Sequence, residues 1–132
     1  MSTDAFPVLC DLDGVVWLAH RPIPGSVDAI ARLRAAGHRV LFVTNNSSAK
    51  VAQQESTLAS LGIPAEGDVL TSAMAAALLL EPGERALVCG GDGVVEALTQ
   101  RGVGVVRTTE SDRKSTRLNS SHVALSRMPS SA

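Results

Sequence analysis

Short apolar runs alternate with stretches of helical periodicity along the first half of the chain. Three of these runs predict buried strands: residues 7–10, 40–43 and 69–70. Residues 26–37 and 48–62 predict helices, because each stretch begins at a serine and ends at a glycine, which are common at helix starts and stops. Residues 14–25 contain two glycines and two prolines, which predicts a loop or small flap. This alternation predicts a parallel α/β sheet with ligands at the carboxyl ends of its strands.

The pattern begins again after Thr71. Its predicted elements are an Ala/Leu-rich helix at 72–80, a strand at 86–89, a tight loop at 90–93, a helix at 94–100 and a strand at 103–106. The glycine-rich loop lacks the spacing of a dinucleotide-binding fingerprint, so a structural turn is favoured over a phosphate cradle. We therefore predict two modules, residues 1–71 and residues 72–111.

The composition changes at the end of the chain. Residues 112–132 are rich in Ser and Arg and have no sustained periodicity, which predicts a disordered tail. Two segments of this tail, 112–122 and 126–132, match the translation of a common short-read sequencing adapter. We therefore predict that the tail is not native and that the genuine sequence stops near Ser111.

Composition and charge narrow the class of partner. Of the 132 residues, 45% are hydrophobic and 19% charged, which is typical of a globular protein, and the net charge of −1 does not suggest nucleic acid or an anionic membrane as a partner. Neither a bilayer-spanning run nor a signal peptide is recognisable, so we predict a cytoplasmic protein. Cys10 and Cys89 each end an apolar run, and we predict reduced, buried thiols rather than a disulfide or a nucleophile.

The main chemical signal is the sequence Asp-Leu-Asp-Gly, which directly follows the first predicted strand. In an extended chain, residues two apart point the same way, so Asp11 and Asp13 face one site. Two such carboxylates repel unless a cation lies between them, and Mg²⁺ suits their oxygen ligands. A carboxylate can also attack phosphorus. Asp-x-Asp alone would favour a solvated acidic loop, because the spacing is common, but the preceding apolar strand, the following glycine, and Thr44 and Asn45 at the end of the next strand favour a site.

Together these residues resemble the haloacid dehalogenase (HAD) superfamily. Val-Leu-Cys-Asp-Leu-Asp-Gly-Val at residues 8–15 is similar to the first HAD motif, and Leu-Phe-Val-Thr-Asn-Asn at 41–46 is similar to the second. Pro-Ile-Pro-Gly at 22–25 and the serines at 47–48 resemble the NagD-type, para-nitrophenyl phosphatase-like branch. The resemblance extends to about Val106. It implies an α/β fold with a Rossmann-like parallel sheet core, incomplete here, followed by the beginning of an inserted cap domain.

The resemblance also implies roles for four residues. Asp11 would attack phosphorus and bind Mg²⁺. Asp13 would be the general acid and then the base, with its backbone carbonyl on the metal. Thr44 would bind the phosphoryl oxygens, and Asn45 would orient the substrate. These roles agree with the needs of phosphoryl transfer, which are positioning and charge neutralisation. Trp17, in the flap after the motif, fits the border of a substrate entrance and ordinary loop packing equally well.

Two elements of the family are missing from the sequence: a lysine after the cap, and a later Gly-Asp motif whose aspartates complete the metal shell. Asp92 follows a glycine too early in the chain to belong to that motif, and Lys50, the only lysine before the tail, is wrongly placed. The resemblance therefore implies an inactive fragment of a phosphatase for a small phosphorylated metabolite, with homo-oligomerisation of the parent left open. The alternatives are a HAD-type phosphotransferase and a non-catalytic phosphate-binding α/β domain.

Overall fold

The structure is a computed structural model that describes residues 5–107 and the backbone of residues 124–127. Its elements, in chain order, are β1 (Val8–Asp11), β2 (Trp17–Leu18), β3 (Arg21–Pro22), α1 (Ser26–Ala35), β4 (Val40–Thr44), α2 (Val51–Ser60), β5 (Val69–Thr71), α3 (Ser72–Ala77), β6 (Arg85–Cys89), α4 (Asp92–Gln100), β7 (Gly104–Val106) and β8 (Ala124–Arg127). Within this part of the chain, no helix has the length and apolar character needed to cross a membrane.

The described residues form two compact units. The first contains the residues up to Thr44 together with Val51–Leu70, and the second contains Asn45–Lys50 and the residues from Thr71 onward. One boundary between the units lies between Leu70 and Thr71, one residue before the position at which the sequence pattern restarts. The separate placement of the short segment Asn45–Lys50 has no counterpart in that pattern.

The first unit is built on a three-stranded parallel sheet in the order β1-β4-β5. β1 pairs with β4 from Val8 beside Val40 to Asp11 beside Val43. The helices α1 and α2 contribute Ile30 and Leu58 to a core that also contains the inward-facing side chains of the sheet. The α/β class with a parallel sheet, predicted from the alternation of apolar runs and helical stretches, is confirmed.

The second unit has its own sheet and core. β6 pairs with β7 in parallel and with β8 antiparallel. Small residues let α3 and α4 pack closely in this unit. Its buried core consists of Ala73, Ala77, Leu80, Ala86, Val88, Val94, Ala97, Leu98 and Val103.

Local turn chemistry changes two predicted elements. The predicted flap contains an antiparallel hairpin, β2 with β3, whose two-residue turn has positive φ at Ala19 (48°) and His20 (62°). Such turns suit the twist of a hairpin, but their two central residues are usually Asn or Gly. Ala and His at these positions gave no sequence signal for a hairpin turn. α3 ends at Ala77 rather than near Leu80, because the next amides bond three residues back and Pro82 follows.

Two further predictions differ from the structure. Ala124–Arg127, inside the tail predicted to be disordered, forms β8 on the edge of β6, while the rest of residues 108–132 lies outside the described residues. Backbone pairing satisfies the free edge of β6 without requiring a periodic pattern of side chains. Cys89 is exposed, whereas Cys10 is half-buried, and both are free thiols.

One edge and one face of the first sheet are open in the described part of the chain. β1 is the terminal strand of that sheet. Phe42 is fully buried, whereas Leu9 is 68% exposed, and Val43 and Leu70 are each 38% exposed. An apolar face next to an unpaired strand edge is a template for association between chains.

We predict that the chain self-associates through this surface, defined by Leu9, Val43 and Leu70, and that Leu9→Lys weakens the association. A lysine on an edge strand places a charge where a second copy would dock. Light scattering over a concentration series measures the effect. Leu78→Lys is the matched control, because Leu78 is 69% exposed but lies at the end of α3. A monodisperse wild-type monomer, or equal effects of the two substitutions, would contradict the prediction.

Candidate active site

Asp11 ends β1 at the carboxyl edge of the first sheet. It lies beside Val43 of β4, and the Leu12 amide donates both to the Val43 carbonyl (3.3 Å) and to Asp11 Oδ1 (2.9 Å). The hydrogen bond from the Leu12 amide to Oδ1 restrains the rotation of this exposed carboxylate. The strand end therefore presents Asp11 in a defined orientation toward solvent.

Asp13 lies in a tight turn that begins directly after β1. The Leu12 carbonyl accepts hydrogen bonds from the amides of Val16 (3.0 Å) and Trp17 (3.1 Å), and the Gly14 amide donates to the Trp17 carbonyl (2.7 Å). Gly14 has a φ of 85°, a conformation that glycine adopts without steric cost. The turn brings the Trp17 indole to Asp13, and Nε1 donates to Oδ1 at 2.9 Å.

Thr44 ends β4, the strand next to Asp11, and is only 2% exposed. The structure therefore brings three of the four predicted residues, Asp11, Asp13 and Thr44, to the carboxyl ends of two neighbouring strands. The fourth, Asn45, is exposed and follows Thr44 directly, but it begins the segment that belongs to the second unit.

Serine hydroxyls fix the segment that begins at Asn45. Ser47 Oγ accepts a hydrogen bond from the Ala73 amide (3.1 Å) and lies 2.6 Å from Ser72 Oγ. Ser72 Oγ also donates to the Asn45 carbonyl (3.3 Å). Ser47 thus satisfies an amide in the first turn of α3, alongside Thr71, which caps the same helix through Met74. The sequence did not indicate this contact, because the two serines are distant along the chain.

Two glycines let α4 approach the same segment. The Gly93 amide donates to the Ser48 carbonyl at 3.3 Å. A Cβ atom on Gly93 would lie 2.2 Å from the Ala49 carbonyl oxygen, and one on Gly91 would lie 2.5 Å from that of Ser48. The sequence 90–93, predicted to be a structural turn, therefore has a packing role: it leaves room for the backbone of Asn45–Lys50.

We predict that Gly93→Ala destabilises the second unit by about 2 kcal/mol, the size typical of overpacking. Helix propensity alone favours alanine by about 1 kcal/mol, so the sign of the change tests the steric argument. Urea unfolding measures it. Gly104→Ala is the control, because a Cβ there comes closest to the flexible Arg85 side chain, at 3.2 Å, and meets backbone only at an ordinary contact distance of 3.5 Å. A Gly93→Ala protein as stable as the wild type would show that the segment moves freely.

Cys10 is not set up as a nucleophile. Burial raises the pKa of the Cys10 thiol, and the negative charge of the neighbouring Asp11 raises it further. The thiol therefore stays protonated at neutral pH, where a reactive cysteine needs the thiolate. Its nearest polar contact is a weak one, from Sγ to the Asp11 carbonyl at 3.5 Å.

The oxygen donors at the end of β1 fit part of a Mg²⁺ site. Asp11 offers a carboxylate and Asp13 a backbone carbonyl, both of them hard oxygen ligands of the kind that Mg²⁺ prefers. In residues 5–107, no group of three or more His, Cys, Asp or Glu side chains is placed to hold a metal ion. The two aspartates can therefore supply only part of a coordination shell.

A parallel sheet with two aspartates after one strand and a threonine at the end of the next places the first unit in the class of α/β proteins with an acidic strand-end site. The family model described as haloacid dehalogenase-like hydrolase matches residues 8–104, and the chain belongs to this family. Its similarities lie in the NagD and p-nitrophenyl phosphatase branch, as the sequences at residues 22–25 and 47–48 predicted.

The chain is similar to D-glycerol 3-phosphate phosphatase of Mycobacterium tuberculosis, with 38% identity over 108 residues that cover 78% of this chain and 30% of the relative. The structure of a glycerol phosphate phosphatase from the same organism in complex with magnesium matches 80% of this chain and 33% of that one (TM-score 0.69, 35% identity). The structure of a p-nitrophenyl phosphatase from Archaeoglobus fulgidus matches 77% of this chain and 40% of that one (TM-score 0.69, 27% identity). The chain thus spans about a third of the length of these proteins.

Proposed function

We propose that the complete protein is a Mg²⁺-dependent phosphatase that hydrolyses a small phosphorylated metabolite. The observation that carries the proposal is the position of Asp11 and Asp13 at the end of β1, beside the end of β4 at Thr44. The names of the relatives, which include glycerol phosphate, phosphoglycolate and acid sugar phosphatases, support this class of substrate. We further propose that the second unit is the beginning of a cap that selects the substrate.

The proposed reaction has two displacements at phosphorus. A carboxylate oxygen of Asp11 forms a bond to phosphorus while the bond to the leaving oxygen breaks, and Asp13 gives its proton to that oxygen. Asp13 then takes a proton from water, the water oxygen bonds to phosphorus, and the acyl-phosphate bond breaks to release phosphate and Asp11. Thr44 donates to the phosphoryl oxygens, and Asn45 orients the substrate. Asp11, through its other carboxylate oxygen, and Asp13, through its backbone carbonyl, would hold Mg²⁺, which would neutralise charge on the phosphoryl group.

The test is a chimaera in which residues 5–107 replace the matching segment of the Mycobacterium tuberculosis relative. All four proposed residues then come from this chain, and the remainder of the enzyme comes from a protein 38% identical to it. We expect Mg²⁺-dependent phosphate release from glycerol phosphate, phosphoglycolate and an aryl phosphate. A folded chimaera that releases no phosphate from any of them would contradict the proposal.

The same experiment distinguishes the other candidate functions. A phosphotransferase shares the aspartyl-phosphate but passes the phosphoryl group to an acceptor, so adding glycerol would divert product from phosphate to a phosphate ester. A non-catalytic phosphate-binding domain would bind the substrate without turnover.

A further inference from the structure

The indole of Trp17 is built into the turn that holds Asp13. Its Nε1 donates to Asp13 Oδ1 at 2.9 Å, an ordinary length for a strong N–H···O bond. The backbone also forms an isolated β-bridge between Asp13 and Trp17, in which Trp17 is hydrogen-bonded to Leu12 and Gly14 on either side of Asp13. The contact is therefore part of the turn's architecture, with both main-chain and side-chain components.

Trp17 has little freedom to move away from Asp13. It is 2% exposed and packs in the core of the first unit, together with Leu12 and Ile30. Its ring also meets the His20 ring edge-on, with centroids 5.3 Å apart. His20 is one of the two residues in the hairpin turn with positive φ, so the indole is confined between the core and a tight turn.

The indole N–H differs from other donors, because it can donate but cannot accept. When Asp13 is ionised, this donor fixes one carboxylate oxygen. When Asp13 is protonated, the oxygen that accepts the indole bond is favoured as the carbonyl oxygen, since a carbonyl is a better acceptor than an acid hydroxyl. The transferable proton then resides on the other oxygen, Oδ2.

We propose that Trp17 is a positioning residue for Asp13: its indole holds Oδ1 and so directs the proton of the general acid to Oδ2. The inference rests on the proposed function, in which Asp13 gives and takes a proton. General acid catalysis requires the proton to lie within hydrogen-bond reach of the leaving oxygen, so a carboxyl group free to rotate transfers it less efficiently.

The first test uses the full chain, in which Trp17 is the only tryptophan and gives a single indole N–H signal in NMR. We expect Asp13→Ala to move this signal upfield and to speed its exchange with solvent about tenfold or more, the loss expected for a hydrogen bond to a charged group. Asp28→Ala is the control, because Asp28 is exposed on α1. The measurement is made in the Leu9→Lys background to limit association. An indole N–H signal whose chemical shift and solvent exchange are unchanged by Asp13→Ala would overturn the proposal.

The second test uses the chimaera and the variant Trp17→Phe, which removes the N–H and keeps an aromatic ring. We expect kcat to fall about tenfold, within the range of effects attributed to proton transfer by a positioned acid, while KM stays within about twofold. Ile30→Ala, in the same buried core, is the control for lost stability, and it should leave kcat nearly unchanged.

The outcomes separate the two proposals. Unchanged kcat in Trp17→Phe, or an equal fall in Ile30→Ala, would overturn the positioning role while leaving the phosphatase proposal intact. A chimaera that is inactive with Trp17 in place would instead remove the proposed function, and the positioning role with it.

Discussion

Asp11→Asn in the chimaera is expected to lower kcat by at least about 10³-fold, the upper range for removing one preorganised group, with a larger loss expected when that group is the nucleophile. Asparagine has nearly the same shape as aspartate, so its side-chain oxygen can still accept the hydrogen bond from the Leu12 amide. In the proposed reaction, the substitution removes the anionic oxygen that would form the bond to phosphorus, and with it one negative charge that would hold Mg²⁺. Phosphate release at saturating substrate and Mg²⁺ measures the change.

The charge-matched control for this prediction is Asp28→Asn. Asp28 lies exposed in the first turn of α1, away from the strand ends, and its neutralisation should change kcat by less than about twofold. Circular dichroism of both variants verifies that the fold is retained. Near wild-type kcat in Asp11→Asn would show that Asp11 is not the nucleophile, even if the chimaera is a phosphatase.

The elements that the sequence pattern located are those in which local periodicity and burial agree. The strand ends at Asp11 and Thr44 were predictable, because an apolar run that stops at a polar residue marks both the strand and its carboxyl end. The parallel arrangement then followed from general rules for connections between strands and helices. The adjacency of these strand ends, and therefore the position of the candidate site, needed no contact information.

Contacts between residues distant in sequence were not predictable in the same way. The bond between Ser47 and the start of α3, and the close approach of Gly93 to residues 47–49, depend on two segments meeting in space. The bond from Trp17 to Asp13 spans only four residues, but it exists because the chain turns tightly at Leu12. The position of Trp17 in the flap gave it two equal interpretations, and the sequence could not show that its side chain is buried and donates to Asp13. Such contacts form only in the tertiary structure, so the local pattern of apolar and polar residues does not predict them.

The chain by itself is expected to turn over phosphate esters at least about 10³-fold more slowly than the chimaera. Phosphoryl transfer depends on neutralising charge on the transferring group, and each missing electrostatic group costs on the order of 10²–10³ in kcat. The described residues provide two carboxylates at the strand end and no larger metal-binding cluster. Lys50, the only lysine in residues 5–107, lines a groove beside α4 with Asp92 and Glu96.

Losses of groups that act together do not simply add, so the measured ratio between chain and chimaera gives their joint effect. The assay compares the purified chain with the chimaera under the same Mg²⁺ and aryl phosphate concentrations. An Asp11→Asn version of the chain identifies any contaminating phosphatase, because only turnover that this substitution removes belongs to the chain itself. Mg²⁺-dependent turnover above about 1 s⁻¹ that Asp11→Asn abolishes, an ordinary rate for an enzyme, would show that residues of this chain alone complete the active site.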